Sequence, residues 1–256
     1  MTTELAGQVV LVVGGTRGIG AAIARDFASA GSEIVIAGRD MEAGEAAAAE
    51  IVGAGGRAAA LRCDVTSESD CVALLSVIAE RFGRLDTLFA NQGVAGPVKG
   101  LTDWPESDVT RCLDVNLVGC LHLARAAEDL LAADGGGRFI VTGSASGSQN
   151  IPGLGMYGIS KAAVSHLVRQ LAVEWRQKSI AVNELVPGPV RTALTGFPDE
   201  SPTAEGAEPN FFEEFSKQNG EWLKNPEEVV PLARLLATLP TNGTSGQALN
   251  LAGRVI

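Results

Sequence analysis

Val9–Val13, five apolar residues in a row, runs straight into Gly14-Gly15-Thr16-Arg17-Gly18-Ile19-Gly20 and on into the alanine-rich stretch Ile19–Ala30. Few folds accommodate a strand that ends in a glycine-rich turn and re-emerges as a helix. Such a turn lets backbone approach a pyrophosphate, and the helix N-terminus supplies amide hydrogens and the positive end of its dipole. Gly14, Thr16, Arg17, Gly18, Ile19 and Gly20 are therefore candidate nucleotide contacts; the alternative is a tight structural turn. The same alternation recurs. Glu33–Ala37, Arg57–Cys63, Thr87–Ala90, Arg138–Thr142, Ile180–Leu185 and Gln247–Leu251 read as short strands. Met41–Val52, Ser69–Phe82, Ser107–Ala133, Tyr157–Gln177 and Glu227–Leu239 read as helices between them. Repeated strand–helix–strand units predict an α/β fold, a doubly wound parallel sheet with helices on both faces. No low-complexity linker divides residues 1–256, so a single domain is expected.

Composition limits the partners. At 46% hydrophobic and 20% charged, the chain suits a soluble protein with a sizeable core. A formal net charge of −10 argues against nucleic acid and against anionic membranes. The opening "MTTELAGQVVLVVGG" lacks a basic n-region and reads as a strand rather than a signal peptide, and no apolar run is long enough to span a bilayer. A cytoplasmic location is expected. Cys63, Cys71, Cys112 and Cys120 form no C-x-x-C pair, and His122 and His166 stand alone. No metal is expected, and the thiols read as buried and free.

The end of the second strand bears on the cofactor. An acid some 20 residues beyond the glycine loop would meet a ribose 2′-hydroxyl. Glu33 has that spacing but opens its strand, whereas the ligand lies beyond a strand's carboxyl end. That end carries Gly38 and Arg39. Glycine removes repulsion and arginine suits a 2′-phosphate, with Arg17 as a second cation. NADP(H) is therefore preferred over NAD(H), which stays possible because Asp40 is adjacent. The plain alternative makes Arg39 a solvated surface cation.

Tyr157, the one tyrosine of the chain, precedes Lys161 by four residues in "MYGISKAA". On a helix these positions share a face, separated by about 6 Å of rise. An ammonium beside a phenol favours the phenolate and makes it a plausible acid/base group. A buried tyrosine with a solvent-facing lysine would have the same spacing.

With "GGTRGIG", "YGISK" and its length together, the chain resembles the short-chain dehydrogenase/reductase family in its ordinary short form, from about Gln8 to Gly253. The resemblance implies a Rossmann-type domain and an NAD(P)-dependent oxidoreductase that interconverts a carbonyl and a secondary alcohol. It implies a catalytic set of Asn116 in "DVNLVG", Ser144 in "VTGSASG", Tyr157 and Lys161, with Ser146 and Ser148 as rivals of Ser144. Tyr157 would donate the proton and Ser144 would hydrogen-bond the carbonyl oxygen. Lys161 would hold the nicotinamide ribose, and Asn116 would hold a water that links Lys161 to bulk. For the cofactor it implies Asp64 and Val65 at the adenine, Asn91 and Gly93 in "ANQG", and Pro187, Gly188, Val190 and Thr192 at the nicotinamide end. Departures are Ala90 and Gln92, which bear on bonds bracing the sheet, Val13 where threonine is common, and the C-terminal "NLAGRVI".

The substrate is less legible. Val94, Val98, Leu101 and Trp104 are expected around the reacting carbon, as are Phe197, Phe211, Phe212, Phe215 and Trp222, with Gln149, Asn150 and Leu154 as further candidates. The stretch 193–222, irregular and aromatic, reads either as a substrate lid over an apolar ligand or as a segment packed on its own domain. A ketone or 3-oxoacyl-type reductase is expected. The alternatives are an NAD-dependent alcohol, steroid or sugar dehydrogenase, or a non-catalytic NADP redox sensor of the same fold. Ala163, Val164, Leu167, Val168, Leu171 and Trp175 exceed one helical stripe. This predicts a homo-oligomer, a tetramer or dimer, with a deep core helix as the alternative.

Overall fold

Period-two alternation sends the β1 residues (Val9–Val13) to opposite faces of a sheet, and all five are buried because helices cover both. The computed structural model describes residues 5–196 and 210–252. These residues form a seven-stranded sheet in the order β3-β2-β1-β4-β5-β6-β7. The other strands are β2 (Glu33–Gly38), β3 (Arg57–Arg62), β4 (Thr87–Ala90), β5 (Arg138–Thr142), β6 (Ala181–Val186) and β7 (Ala248–Asn250). Every neighbouring pair is parallel.

One face packs Val9, Leu11, Val13, Leu88, Phe139 and Val182 under α3 (Glu68–Phe82), α5 (Gly119–Ala132) and α6 (Gly155–Glu174). The other packs Val10, Val12, Ile34, Phe89, Ile140 and Leu185 under α1 (Gly18–Ser29), α2 (Met41–Gly53) and α8 (Val230–Thr238). Strand order reverses between β1 and β4, which opens a crevice at their carboxyl ends.

Three elements depart from the sequence reading. Ser107–Ala133 is not one helix: α4 (Glu106–Leu113) and α5 flank a widened turn at Asp114–Val118, closed by the Gly119 N–H donating to the Asp114 carbonyl five residues back. Glu227–Leu239 is divided as well, because Pro231 lacks the N–H to continue the ladder. A short 3₁₀ turn, Pro226–Val229, precedes α8. Within the stretch read as irregular, α7 (Phe211–Asn219) is capped by the Asn210 side chain and ends at Gly220 in the left-handed region. Phe197 lies outside the described residues.

All four cysteines are free and buried. Val164, Val168 and Leu171 of α6 and Trp175 at its C-terminal cap pack on their own sheet, Trp175 edge-on to Phe139. Much of the apolar breadth of α6 is thus spent inside one chain, while Val173 is 74% exposed. Among the described residues no helix is long and apolar enough to cross a membrane, and no cluster of three or more His, Cys, Asp or Glu could hold a metal.

Candidate active site

The crevice at the β1–β4 reversal opens into a cleft of about 910 Å³. On its β1 side lie Gly14, Thr16, Arg17, Gly18 and Ile19. Gly14 (φ +75°) and Gly18 (φ +55°) adopt the left-handed backbone that glycine tolerates, and a side chain at 14 would come within 2.9 Å of the Gln92 nitrogen. Gly20 stands behind the wall, where any side chain would run into the Gly14 carbonyl. It lets α1 pack on β1, and that is its place in the loop. Helix α1 has no side-chain cap and no acid in its first turn, whereas α2 and α3 are capped by Asp40 and Ser67. The N-terminal amides of α1 therefore present a positive edge to the cleft. A phosphate fits this cradle.

Arg39 and Asp40 from the end of β2 also line the cleft. Asp40 accepts from the Ala43 N–H at 3.1 Å and pairs with Arg17 at 3.3 Å, so its carboxylate serves the α2 cap and a neighbouring cation. Gly38 leaves the space beside Thr16 open. After β3, Asp64 and Val65 reach the cleft. Burial pushes the Asp64 carboxyl up. Hydrogen bonds from the Thr66 hydroxyl and amide, at 2.8 and 3.1 Å, and the Arg39 charge outweigh it and hold the group below its ordinary value.

At the centre, Ser144, Tyr157 and Lys161 all face the cleft. Ser144 follows β5 and caps the turn Ala145–Gly147, its Oγ accepting from the Ser146 N–H at 3.2 Å. Ser146 lines the cleft too, while Ser148 does not and donates to the Ala145 carbonyl. Tyr157 and Lys161 lie on one face of α6, both buried, with Nζ 5.8 Å from the phenol ring centroid. Lys161 Nζ donates to the Thr142 carbonyl at 2.8 Å. Thr142 Oγ1 donates to Asn91 Oδ1 at 2.9 Å, and Asn91 Nδ2 donates to the Gly14 carbonyl at 3.0 Å.

Asn116 stands behind the cleft wall, 1% exposed in the widened turn. Its Oδ1 accepts from the Val94 N–H at 2.9 Å, and Nδ2 donates to the Val94 carbonyl and Ser160 Oγ at 3.0 and 2.9 Å. Ser160 in turn donates to the Tyr157 carbonyl at 2.7 Å. The amide thus ties the 93–95 loop to α6. Asn91 and Gly93 line the cleft, as do Pro187, Gly188, Val190 and Thr192 beyond β6. The Val190 carbonyl accepts from the Thr195 hydroxyl at 2.6 Å.

Of the residues expected around the reacting carbon, Val94, Gln149, Leu154, Phe211, Phe212 and Phe215 line the cleft. Trp104 instead packs beneath Gly96 with Cys112 and Met156, because its ring fills the space that a side chain at 96 would need. Val98, Leu101 and Trp222 are exposed away from the cleft lining, and Asn150 is likewise outside it. Leu194, from the 193–222 stretch, lines it as well, and Arg111 and Ile151 line it without having been expected. Glu184 of β6, fully buried beneath Gly143, was also missed. Its signal was a lone acid inside an apolar strand.

The family profile described as short chain dehydrogenase matches residues 8–201. The 7alpha-hydroxysteroid dehydrogenase of Escherichia coli (strain K12) is 31% identical over 98% of this chain and 94% of its own. An alcohol dehydrogenase from the archaeon Thermococcus sibiricus, solved with 5-hydroxy-NADP, superposes with a TM-score of 0.81 at 29% identity, over 96% of each chain. An NAD+-bound xylitol dehydrogenase superposes with a TM-score of 0.86 at 25% identity, over 98% of this chain and 99% of its own. The chain belongs to the short-chain dehydrogenase family. It is an oxidoreductase that acts on CH–OH groups, and its fold is one that binds nicotinamide cofactors.

Proposed function

We propose that this enzyme is an NADP(H)-dependent reductase of an apolar ketone. The observation that carries the reading is that Ser144, Tyr157 and Lys161 share one cleft with the uncapped N-terminus of α1. Gly14, Thr16, Gly18 and Ile19 would hold the diphosphate through backbone amides, and Arg17 and Arg39 the 2′-phosphate. Asp64 and Val65 would meet the adenine. Asn91, Gly93, Pro187, Gly188, Val190 and Thr192 would frame the nicotinamide half. When bound, the reduced dinucleotide supplies the hydride.

The chain's own residues handle the proton. Tyr157 donates its phenolic proton to the carbonyl oxygen, and the Lys161 ammonium stabilises the negative charge left on that phenol. Ser144 donates a hydrogen bond to the same oxygen as charge develops there. The Thr142 carbonyl fixes Lys161, and Asn116 fixes the loop that forms the opposite wall. Val94, Ile151, Leu154 and the phenylalanines of α7 give the cleft an apolar wall beside the polar Arg111 and Gln149, which favours a ketone carried on an apolar body, with the described parts of the 193–222 stretch, 193–196 and 210–222, as its cover. NADP(H) is preferred because Arg39 adjoins Gly38 and because Asp40 is committed to Arg17 and a helix cap. Exposed Val173, with half-buried Ala163 and Leu167, supports self-association through α6.

The test is a panel of ethyl acetoacetate, an acetoacetyl thioester, a 3-oxosteroid and L-sorbose with NADPH and NADH, read as loss of reduced-nicotinamide absorbance. Turnover of an apolar ketone with NADPH is expected. Turnover of the sugar alone, or equal use of both cofactors, overturns this reading.

A further inference from the structure

Strand β6 is apolar apart from Asn183 and Glu184, and Glu184 is 1% exposed. It shares a face with Val182, beneath α6. From that helix Lys161, Ser165 and Arg169, spaced four residues apart, all act on the Glu184 carboxyl. One oxygen, Oε1, has no hydrogen-bond partner among the described residues. A buried, unpartnered carboxyl oxygen is costly and calls for a reason.

The reason lies in the neighbouring strand. A Cβ built on Gly143 would stand 2.5 Å from Glu184 Cδ and 2.6 Å from Cγ. The glutamate side chain therefore fills the volume that a side chain at 143 would take, one residue before Ser144. The Gly143 N–H donates to the Leu185 carbonyl at 2.8 Å, which holds the two strand ends in register, and the Ser144 N–H acts on the carboxyl. Glu184 does not line the cleft.

We propose that Glu184 is a positioning residue, which packs into the hollow of Gly143 and anchors the Ser144 backbone so that the Ser144 hydroxyl faces the substrate carbonyl. The proposal rests on the reading of Ser144 as the hydroxyl that binds that oxygen. Burial pushes the Glu184 carboxyl up, against hydrogen bonds from Ser165 and Ser144 and the charges of Lys161 and Arg169. An amide of the same shape fills the same hollow and is an adequate replacement, whereas a methyl group is not.

The experiment measures kcat and KM with NADPH and ethyl acetoacetate, and NADPH affinity by fluorescence, for Glu184→Gln, Glu184→Ala, Gly143→Ala, the Gly143→Ala/Glu184→Ala double variant and Ser144→Ala. Misplacing Ser144 lowers kcat about 10–100-fold in Glu184→Ala, with NADPH affinity within about twofold. Glu184→Gln stays within about threefold of the unmodified enzyme in kcat. Gly143→Ala is impaired, and the double variant regains at least about fivefold because the two volumes exchange. An unchanged kcat in Glu184→Ala overturns the proposal, as does a Glu184→Gln variant as poor as Glu184→Ala, or a double variant no better than Gly143→Ala. If Ser144→Ala is impaired while Glu184→Ala is normal, this proposal alone fails. A normal Ser144→Ala overturns the reading of Ser144 and the proposal with it.

Discussion

Replacing Asn116 by alanine separates a chemical role from an architectural one. The side chain is 1% exposed, and two of its links go to Val94, one to the N–H and one to the carbonyl. A third goes to Ser160, which keeps its own bond to the Tyr157 carbonyl. Truncation therefore orphans one half-buried amide N–H and weakens one carbonyl, for a combined cost of about 2–4 kcal/mol. In a domain of this size each kcal/mol shifts Tm by roughly 2–4 °C, so the variant melts about 4–16 °C lower. The assay is a thermal melt without cofactor, paired with kcat at a temperature where both proteins are folded. Loss of the clamp also loosens the 93–95 loop, so KM rises more than kcat falls. A melt within 2 °C of the unmodified protein, combined with a drop in kcat beyond about 10²-fold, refutes the clamp and makes Asn116 a direct participant in proton transfer.

Tyr157→Phe keeps the ring and its packing, so NADPH binding and stability persist while turnover falls by about 10²–10⁴-fold; normal turnover would remove Tyr157 from the chemistry. Arg39→Asp replaces a charge-assisted contact by repulsion and weakens NADPH by about 10–100-fold with NADH little changed, and unchanged NADPH titrations refute the 2′-phosphate assignment. For Glu184 the folded-state pKa is raised above the unfolded value. The stability tied to its proton is complete below the unfolded carboxyl's value of about 4.3 and is lost as pH rises through the folded one. Urea midpoints of Glu184→Gln should therefore fall less as pH rises from about 5 to 8 than those of the unmodified protein, and parallel curves would refute the upward shift.

The strands were legible because their apolar runs are short, continuous and bounded by glycine. β1, β4 and β5 have the expected limits, and the other strands differ by a residue or two at their ends. Helix interiors were less so. The widened turn at Asp114–Val118 leaves no mark on periodicity, and the partner its Asn116 meets, the Val94 backbone, is distant in sequence. Helix α7 was hidden by its length and by the weak pattern "FFEEF", although Asn210 before it and Gly220 after it are ordinary caps. Trp104 was misassigned for a related reason. An aromatic residue in the loop between a strand and a helix reads alike whether it faces a ligand or fills the space beside a glycine, and only the position of Gly96 decides. Glu184 was missed because the value of a buried acid depends on what its side chain packs against, and the sequence does not show that it fills the space beside Gly143.

The departure of "ANQG" from the family pattern raised the question of what braces the sheet beneath the cleft. Asn91 does so without help from its altered neighbours. Its amide nitrogen holds the Gly14 carbonyl and its oxygen takes the Thr142 hydroxyl, so one side chain just beyond β4 links the ends of both adjoining strands. Gln92 turns away and donates to Cys120 on α5. The carbonyl of Thr142 then receives Lys161. Three hydrogen bonds in series thus connect the glycine loop to the lysine beside the phenol, the two neutral ones contributing about 0.5–1.5 kcal/mol each and the one from the ammonium about 1.5–3 kcal/mol. A disturbance at Gly14 moves the anchor of Lys161, and a disturbance at Lys161 reaches back to the loop. The substitutions at 90 and 92 fall outside this series, which explains why they are compatible with an intact cleft while a change at Asn91 would not be.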